Sequence, residues 1–215
     1  EEFKEDELLQ TVENIQSGKD GILYGPLALN QDTSEGIFAP WAIMKSDWDY
    51  IGGHDPIFAP QSKEDSDIFN RFHLAGYKFI QVWKGLVYHM TCRGSRFKDG
   101  AIRNPDGQVF MKNRESDEWL KQNQKSTREF IRKWGHFVKH DTMMKPIVPP
   151  KYSVGFVVEN CNTQMLEMLE PWCDNIYGDF VGHKGYGVNK YIEEERTSFD
   201  LKKRIHSDHI NPTDK

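Results

Sequence analysis

The sequence is poor in cysteine, with only Cys92, Cys161 and Cys173 among 215 residues. The number is odd and the spacing fits no metal motif, so a disulfide framework is disfavoured and reduced thiols are expected. Nor is there a run approaching the roughly twenty apolar residues of a membrane-spanning helix, and no secretory-signal pattern opens the sequence. A soluble, cytoplasmic protein is the expectation. Nor is there an excess of positive charge. The formal net charge is -5 and the pI is near 5.9, whereas a phosphate backbone calls for a basic surface or stripe. This argues against a general nucleic-acid binder. The longest basic stretch, 128–139, is interleaved with aromatics and reads as the solvated face of a helix. Internal repeats and low-complexity segments are missing too.

What is present suffices for a core. Hydrophobic residues make up 37% and charged residues 28%, a balance that supports one core and a small second unit rather than a disordered chain. Spacings of three and four mark helices at 3–15, through Leu8, Leu9, Val12 and Ile15, and at 62–76, through Ile68, Phe69, Phe72 and Ala75. Apolar runs of strand length occupy 77–83 and 86–88. Pro105-Asp106-Gly107 reads as a turn between 101–103 and 108–111. A helix follows over 116–138, with Ser116 as its cap and Gly135 weakening its last turn. Pro146, Pro149 and Pro150 mark a linker. Beyond it, 152–158 and 175–177 read as strands and 163–169 and 198–205 as short helices. The glycine-rich stretch 178–187 reads as a plain loop rather than a phosphate cradle, because its spacing fits no such motif. The fold class is mixed α/β.

Chemistry gathers between positions 47 and 76. A glycine turn in Trp48-Asp49-Tyr50-Ile51-Gly52-Gly53-His54-Asp55 precedes Glu64-Asp65-Ser66-Asp67-Ile68-Phe69-Asn70-Arg71, a helix whose first turn is loaded with carboxylates. Ser62 is the expected N-cap and Gly76 the expected C-cap. A carboxylate held beside a bound hydroxyl is what a general base requires. The same acids also suit a purely local role. Asp65 lies three residues after Ser62, as in a capping box, and Asp67 and Arg71 are four apart, the spacing of a helix-face ion pair. Trp48, beside Gly52, is either a platform for the apolar face of a sugar or a core residue, and Trp83 reads as core.

The Gly-Gly turn, the acidic cluster and the Ile-Phe-Asn-Arg helix together resemble the acceptor-side half of a GT-A nucleotide-sugar glycosyltransferase of the family-2-type or galactosyltransferase-like kind. The resemblance continues through Tyr88-His89-Met90-Thr91-Cys92-Arg93-Gly94-Ser95-Arg96, where such enzymes carry a metal-ligating histidine and basic residues near the donor diphosphate. It implies a partial GT-A-like mixed sheet with flanking helices, and transfer of a sugar from a nucleotide-sugar donor to a carbohydrate or other hydroxyl acceptor. By the same resemblance Asp65 would be the general base, and Asp55, Glu64, Gly52, Gly53 and Trp48 would bind the acceptor. His89 would ligate a divalent metal, manganese or magnesium. Arg93 and Arg96 would neutralise the leaving diphosphate, since arginine presents planar donors to phosphate oxygens. Where the galactosyltransferase-like motif has a further acid this chain has Ser66, which leaves the acceptor and the stereochemical outcome open. The stretch 128–135 is similar to a helix that follows the site in many family-2-type enzymes.

One departure is large. GT-A enzymes carry a nucleotide-binding region and an Asp-x-Asp ahead of these motifs, whereas only about fifty residues precede Gly52 here. Asp47-Trp48-Asp49 has the letters but lies on the acceptor side, and is rejected as the donor motif. The expectation is a GT-A-like domain over 1–145 without its front half, a proline-rich linker at 146–150 and a small incomplete α/β appendage over 151–215. Such a domain would expose a sheet edge that a homo-oligomer could cover, and would bind nucleotide diphosphate weakly or not at all. The alternative is a non-catalytic carbohydrate-binding or assembly module that keeps the glycine turn and the aromatic platform. A hydrolase built on Asp55, Asp65 and His89 is weaker, because those spacings match no hydrolase motif.

Overall fold

The computed structural model describes residues 22–24, 29–30, 35–36, 41–60, 62–80, 96–98, 101–103, 117–180 and 186–207. These residues form a mixed α/β chain whose contacts fall into two compact units. One is Glu1–Asn123 with Lys139–Val148, the other Gln124–Val138 with Pro149–Lys215.

In the first unit, β1 (Ile22–Tyr24) pairs in parallel with β4 (Lys78–Ile80). Strands β2 (Leu29–Asn30) and β3 (Glu35–Gly36) form an antiparallel ribbon, as do β5 (Arg96–Lys98) and β6 (Ala101–Arg103). Between β3 and β4 lie helices α1 (Lys45–Ile51) and α2 (Glu64–Leu74). The three-and-four spacing of α2 holds for three of its four apolar positions: Ile68, Phe69 and Phe72 are fully buried and pack with Trp41, Ile43, Trp48, Ile51, Tyr77 and Phe79, whereas Ala75 is exposed at the helix end. Each such side chain contributes about 1.5–3 kcal/mol by leaving water.

The two ends of α2 differ. At its C-terminus Gly76 adopts φ +86°, its N–H donates to the His73 carbonyl, and the Tyr77 N–H donates to the Phe72 carbonyl. These are the two bonds of a Schellman end, completed by the Tyr77 ring packed 5.0 Å from that of Phe72. At the N-terminus the expected Ser62 cap is replaced. The helix starts at Glu64, the preceding Lys63 makes no side-chain capping bond, and the Ser62 hydroxyl is engaged elsewhere.

The second unit alternates strand and helix: β7 (Gly155–Cys161), α4 (Thr163–Leu169), β8 (Asn175–Phe180), α5 (Tyr186–Glu195), α6 (Leu201–Arg204) and β9 (Ile205–His206). It also takes in the later turns of the long helix α3 (Asp117–Trp134). The strands form one parallel sheet in the order β7-β8-β9, with helices in the crossovers that parallel neighbours require. Asn162 caps α4, its side chain accepting from the Met165 N–H at 2.8 Å. Gly178 has to be glycine, because a Cβ there would strike the Val158 carbonyl oxygen of β7. Cys161, Leu166, Cys173, Ile176, Tyr191, Leu201 and Ile205 make the core.

Three readings of the sequence are corrected here. The stretch 128–139 is not simply a solvated face, since Arg132 is 0% exposed and Phe130 and Ile131 are buried. Helix α5 begins at Tyr186, inside the segment read as a loop. The short C-terminal helix stops at Arg204, and Ile205 and His206 instead complete the sheet. The expected helix at 3–15, the strand at 86–88 and the turn at 105–107 lie outside the described residues.

Candidate functional site

Arg71 organises the glycine turn. Its Nε donates to Asp67 Oδ2 at 2.9 Å, while Nη1 and Nη2 donate to the carbonyls of Ile51 and Gly53 at 2.8 and 2.6 Å. The expected pair with Asp67 therefore forms, but Asp67 is fully buried and the guanidinium ties α2 to the turn that follows α1. Gly52 and Gly53 have φ of +86° and +68°. A Cβ on Gly53 would also come within 3.0 Å of Trp48 Cζ2, so only glycine lets the turn close against that indole.

The rings of Trp41, Trp48 and His54 meet at this turn. Trp41 lies 5.7 Å from Trp48, 5.8 Å from Phe69 and 6.2 Å from Phe72. His54 is exposed and stands edge-on to Trp48 at 5.1 Å and to Trp41 at 6.3 Å. The other acids nearby have local tasks. Asp47 Oδ1 accepts from the Tyr77 hydroxyl at 2.9 Å, Asp49 pairs with Lys45 within α1, and Asp55 Oδ1 accepts from the Ile57 N–H at 3.0 Å, capping a short 3-10 turn over Pro56–Phe58.

Glu64 and Asp65 open α2 in a half-buried setting. Burial pushes the Asp65 carboxyl above the usual carboxylate range and the Glu64 charge adds to this, while His54 and a hydrogen bond from the Trp41 side chain pull partly back. Among the described residues Glu64 Oε2 has no hydrogen-bond partner although the atom is buried. Beside it, burial lowers the pKa of the Lys63 ammonium against the opposing pull of Glu64. Burial thus makes the Asp65 carboxylate a stronger base than an ordinary one, and the Trp41 side chain donates a hydrogen bond to it.

A denser charge cluster belongs to the second unit. Arg132 donates through Nη2 to Glu170 Oε2 at 2.6 Å and to the Tyr191 hydroxyl at 2.8 Å, and through Nη1 to Glu195 Oε1 at 2.8 Å. Glu129 lies 3.4 Å from the same guanidinium and accepts from Thr197 Oγ1 at 2.8 Å. Arg128 bridges Glu195 and Glu167. Glu170 Oε1 faces Arg204 Nη1 at 3.1 Å, an ion pair without hydrogen-bond alignment. Each glutamate here meets a guanidinium, so the cluster reads as structure. The thiol of Cys173, pushed up to about 11 mainly by burial, is protonated at neutral pH and a poor nucleophile.

Of the residues singled out in the sequence, Trp48 and Asp65 both meet Trp41, with Gly53 packed under Trp48 and Glu64 beside Asp65. Asp55 sits on the connecting turn. His89 and Arg93 lie outside the described residues, and Arg96 opens β5. Among the described residues no three His, Cys, Asp or Glu side chains are grouped to hold a metal ion, and no helix is long and apolar enough to cross a membrane. Sequence reasoning placed Trp41 near the glycine turn but gave it no role. It also passed over His54, whose place directly after the Gly-Gly turn was a usable signal. No protein-family model matches this chain, and neither a curated protein nor a solved structure matches it.

Proposed function

We propose that the first unit carries the acceptor side of a GT-A-like glycosyltransferase, with Asp65 as the base that activates an acceptor hydroxyl. The observation that carries this reading is the setting of Asp65: half-buried beside a second carboxylate, bonded by the Trp41 side chain and near the charge of His54, with burial pushing its carboxyl above the usual range. In the reaction Asp65 takes the proton of the acceptor hydroxyl as its oxygen bonds to the anomeric carbon of the donor sugar. The bond from that carbon to the diphosphate breaks, and its electron pair leaves with the nucleoside diphosphate. Glu64 Oε2, buried without a hydrogen-bond partner among the described residues, would accept from a second acceptor hydroxyl. The edge of Trp48 and the exposed ring of His54 offer an apolar flank for a sugar. In this reading Arg93 and Arg96 would offset the diphosphate charge, and His89 would ligate manganese or magnesium.

The test combines turnover with binding. Release of free nucleoside diphosphate is followed across a panel of UDP- and GDP-sugars with manganese and a panel of saccharide acceptors, and acceptor binding is followed by saturation-transfer NMR. Asp65→Asn should lower turnover by about a hundredfold or more while saccharide binding persists. Turnover unchanged by that substitution would rule Asp65 out as the base. Saccharide binding without turnover in the unaltered protein would favour the non-catalytic module, which the same glycine turn and aromatic flank would serve.

A further inference from the structure

Resting on the reading of Asp65 as the reacting carboxylate, we propose that Asn123 of α3 is a positioning residue for it. The chain enters α2 through Ser62 and Lys63, whose φ angles are +82° and +74°. Two consecutive side-chain-bearing residues thus occupy the left-handed region, at roughly 1–2 kcal/mol each. The helix holds Lys63 through one backbone bond, the Asp67 N–H donating to its carbonyl at 2.9 Å, and Lys63 makes no side-chain capping bond. A further restraint comes from α3. Asn123 Oδ1 accepts from Ser62 Oγ at 2.7 Å and from Lys63 Nζ at 3.2 Å, and the neighbouring Gln122 Nε2 donates to the Ala59 carbonyl at 3.3 Å. An ammonium can only donate, so the amide atom facing it must be the oxygen, and the orientation of Asn123 is fixed chemically.

One side-chain oxygen therefore pins both residues that precede Glu64 and Asp65. Freed from it, Ser62 and Lys63 would relax out of the left-handed region. The first turn of α2 would then swing, and water would reach a carboxylate whose raised pKa depends first on burial. Asp65 is faced by Glu64, His54 and Trp41, none of them on α3, so Asn123 acts through the backbone and not by touching the base.

The test uses Asn123→Ala and Asn123→Asp, the second keeping an acceptor oxygen towards Lys63. Amide hydrogen exchange over 63–67 and the NMR titration of the Asp65 carboxyl are read in both variants, with kcat and KM wherever transfer is detected. In Asn123→Ala, exchange should rise about tenfold and the Asp65 midpoint should fall towards that of an ordinary aspartate. kcat should drop by about tenfold with KM nearly unchanged, and Asn123→Asp should restore all three. Unchanged exchange and titration in Asn123→Ala would overturn the proposal, as would faster exchange with no shift in the titration, which is what a merely structural contact would give. Exchange and titration do not require activity, so they decide the role of Asn123 even if the sugar-transfer reading fails.

Discussion

Carboxylates occur in two settings in this chain. Around Arg132, in the second unit, Glu129, Glu167, Glu170 and Glu195 each meet a guanidinium, and Arg132 and Glu170 are wholly buried. At the start of α2, in the first unit, Asp65 is met by an indole and an exposed histidine, and Glu64 Oε2 is buried without a hydrogen-bond partner among the described residues. Charge density alone would nominate the first cluster as the functional one. Compensation points the other way: every glutamate around Arg132 faces a guanidinium, even though burial still pushes the Glu129 carboxyl up and Glu170 Oε1 lacks an aligned hydrogen bond, whereas the charges that act on Asp65 are those of Glu64 and His54. Glu195 shows the contrast, because burial pushes its carboxyl up but the hydrogen bond from Arg128 and the charge of Arg132 more than reverse this and hold it below the usual range.

The harshest way to break the comparison is at Arg132. Arg132→Ala leaves Glu170, Glu195 and Glu129 buried against one another, and should cost about 3–5 kcal/mol, read as early unfolding of the second unit in urea. The expected loss is structural, so saccharide binding assigned to the first unit should survive at temperatures where the variant is folded. A smaller effect is expected at the glycine turn. Gly53→Ala combines a left-handed backbone with collision against Trp48 and should cost roughly 1–3 kcal/mol. Gly52→Ala, where a Cβ meets nothing within 4 Å, should cost only about 1 kcal/mol. Equal thermal shifts in the two variants would mean that the Trp48 contact adds nothing.

The smallest effects sharpen the comparison through pH. Glu195 has a lowered folded pKa, so the stability it contributes is complete above its unfolded value of about 4.3 and is lost as pH falls through the folded one. Glu195→Gln should flatten that acid limb. Asp65 has the opposite sign. The folded state binds its proton more tightly than the unfolded state, so it lowers stability as pH rises from about 3.9 through the raised value. Asp65→Asn removes that penalty and should leave the protein at neutral pH as stable as before, or more stable by up to about 1 kcal/mol. Chemical denaturation across this pH range checks both. A large loss of stability in Asp65→Asn would place Asp65 with the structural acids.

Local signals were legible in the sequence where local chemistry decides the outcome. Gly76 announces a helix end because φ +86° favours glycine, the spacing of Ile68, Phe69 and Phe72 announces a buried face, and Thr163–Leu169 forms the expected short helix. What was illegible depends on partners distant in sequence. Arg128 and Arg132 look solvated until Glu170 arrives from the 3-10 turn after α4, and Tyr191 and Glu195 from α5, and those contacts attach the later turns of α3 to the second unit. The stretch 198–205 reads as helix to its end, yet Ile205 pairs with Ile176, and His206 after it pairs with Tyr177. The site divides in the same way. Asp65, Glu64 and Gly53 were visible as a motif, whereas Trp41 and Asn123 act through contacts that no spacing rule encodes, and the departure of Ser62 from the capping role follows from its bond to Asn123.

The central claim is that Asp65 is held as an available base while the acids of the second unit are held as structure. The most direct measurement is the NMR titration of the side-chain carboxyls of Asp65 and Glu195 in one sample of the unaltered protein. The account predicts an Asp65 midpoint above that of an ordinary aspartate, together with a Glu195 midpoint below that of an ordinary glutamate. An Asp65 midpoint at or below the ordinary value would contradict it.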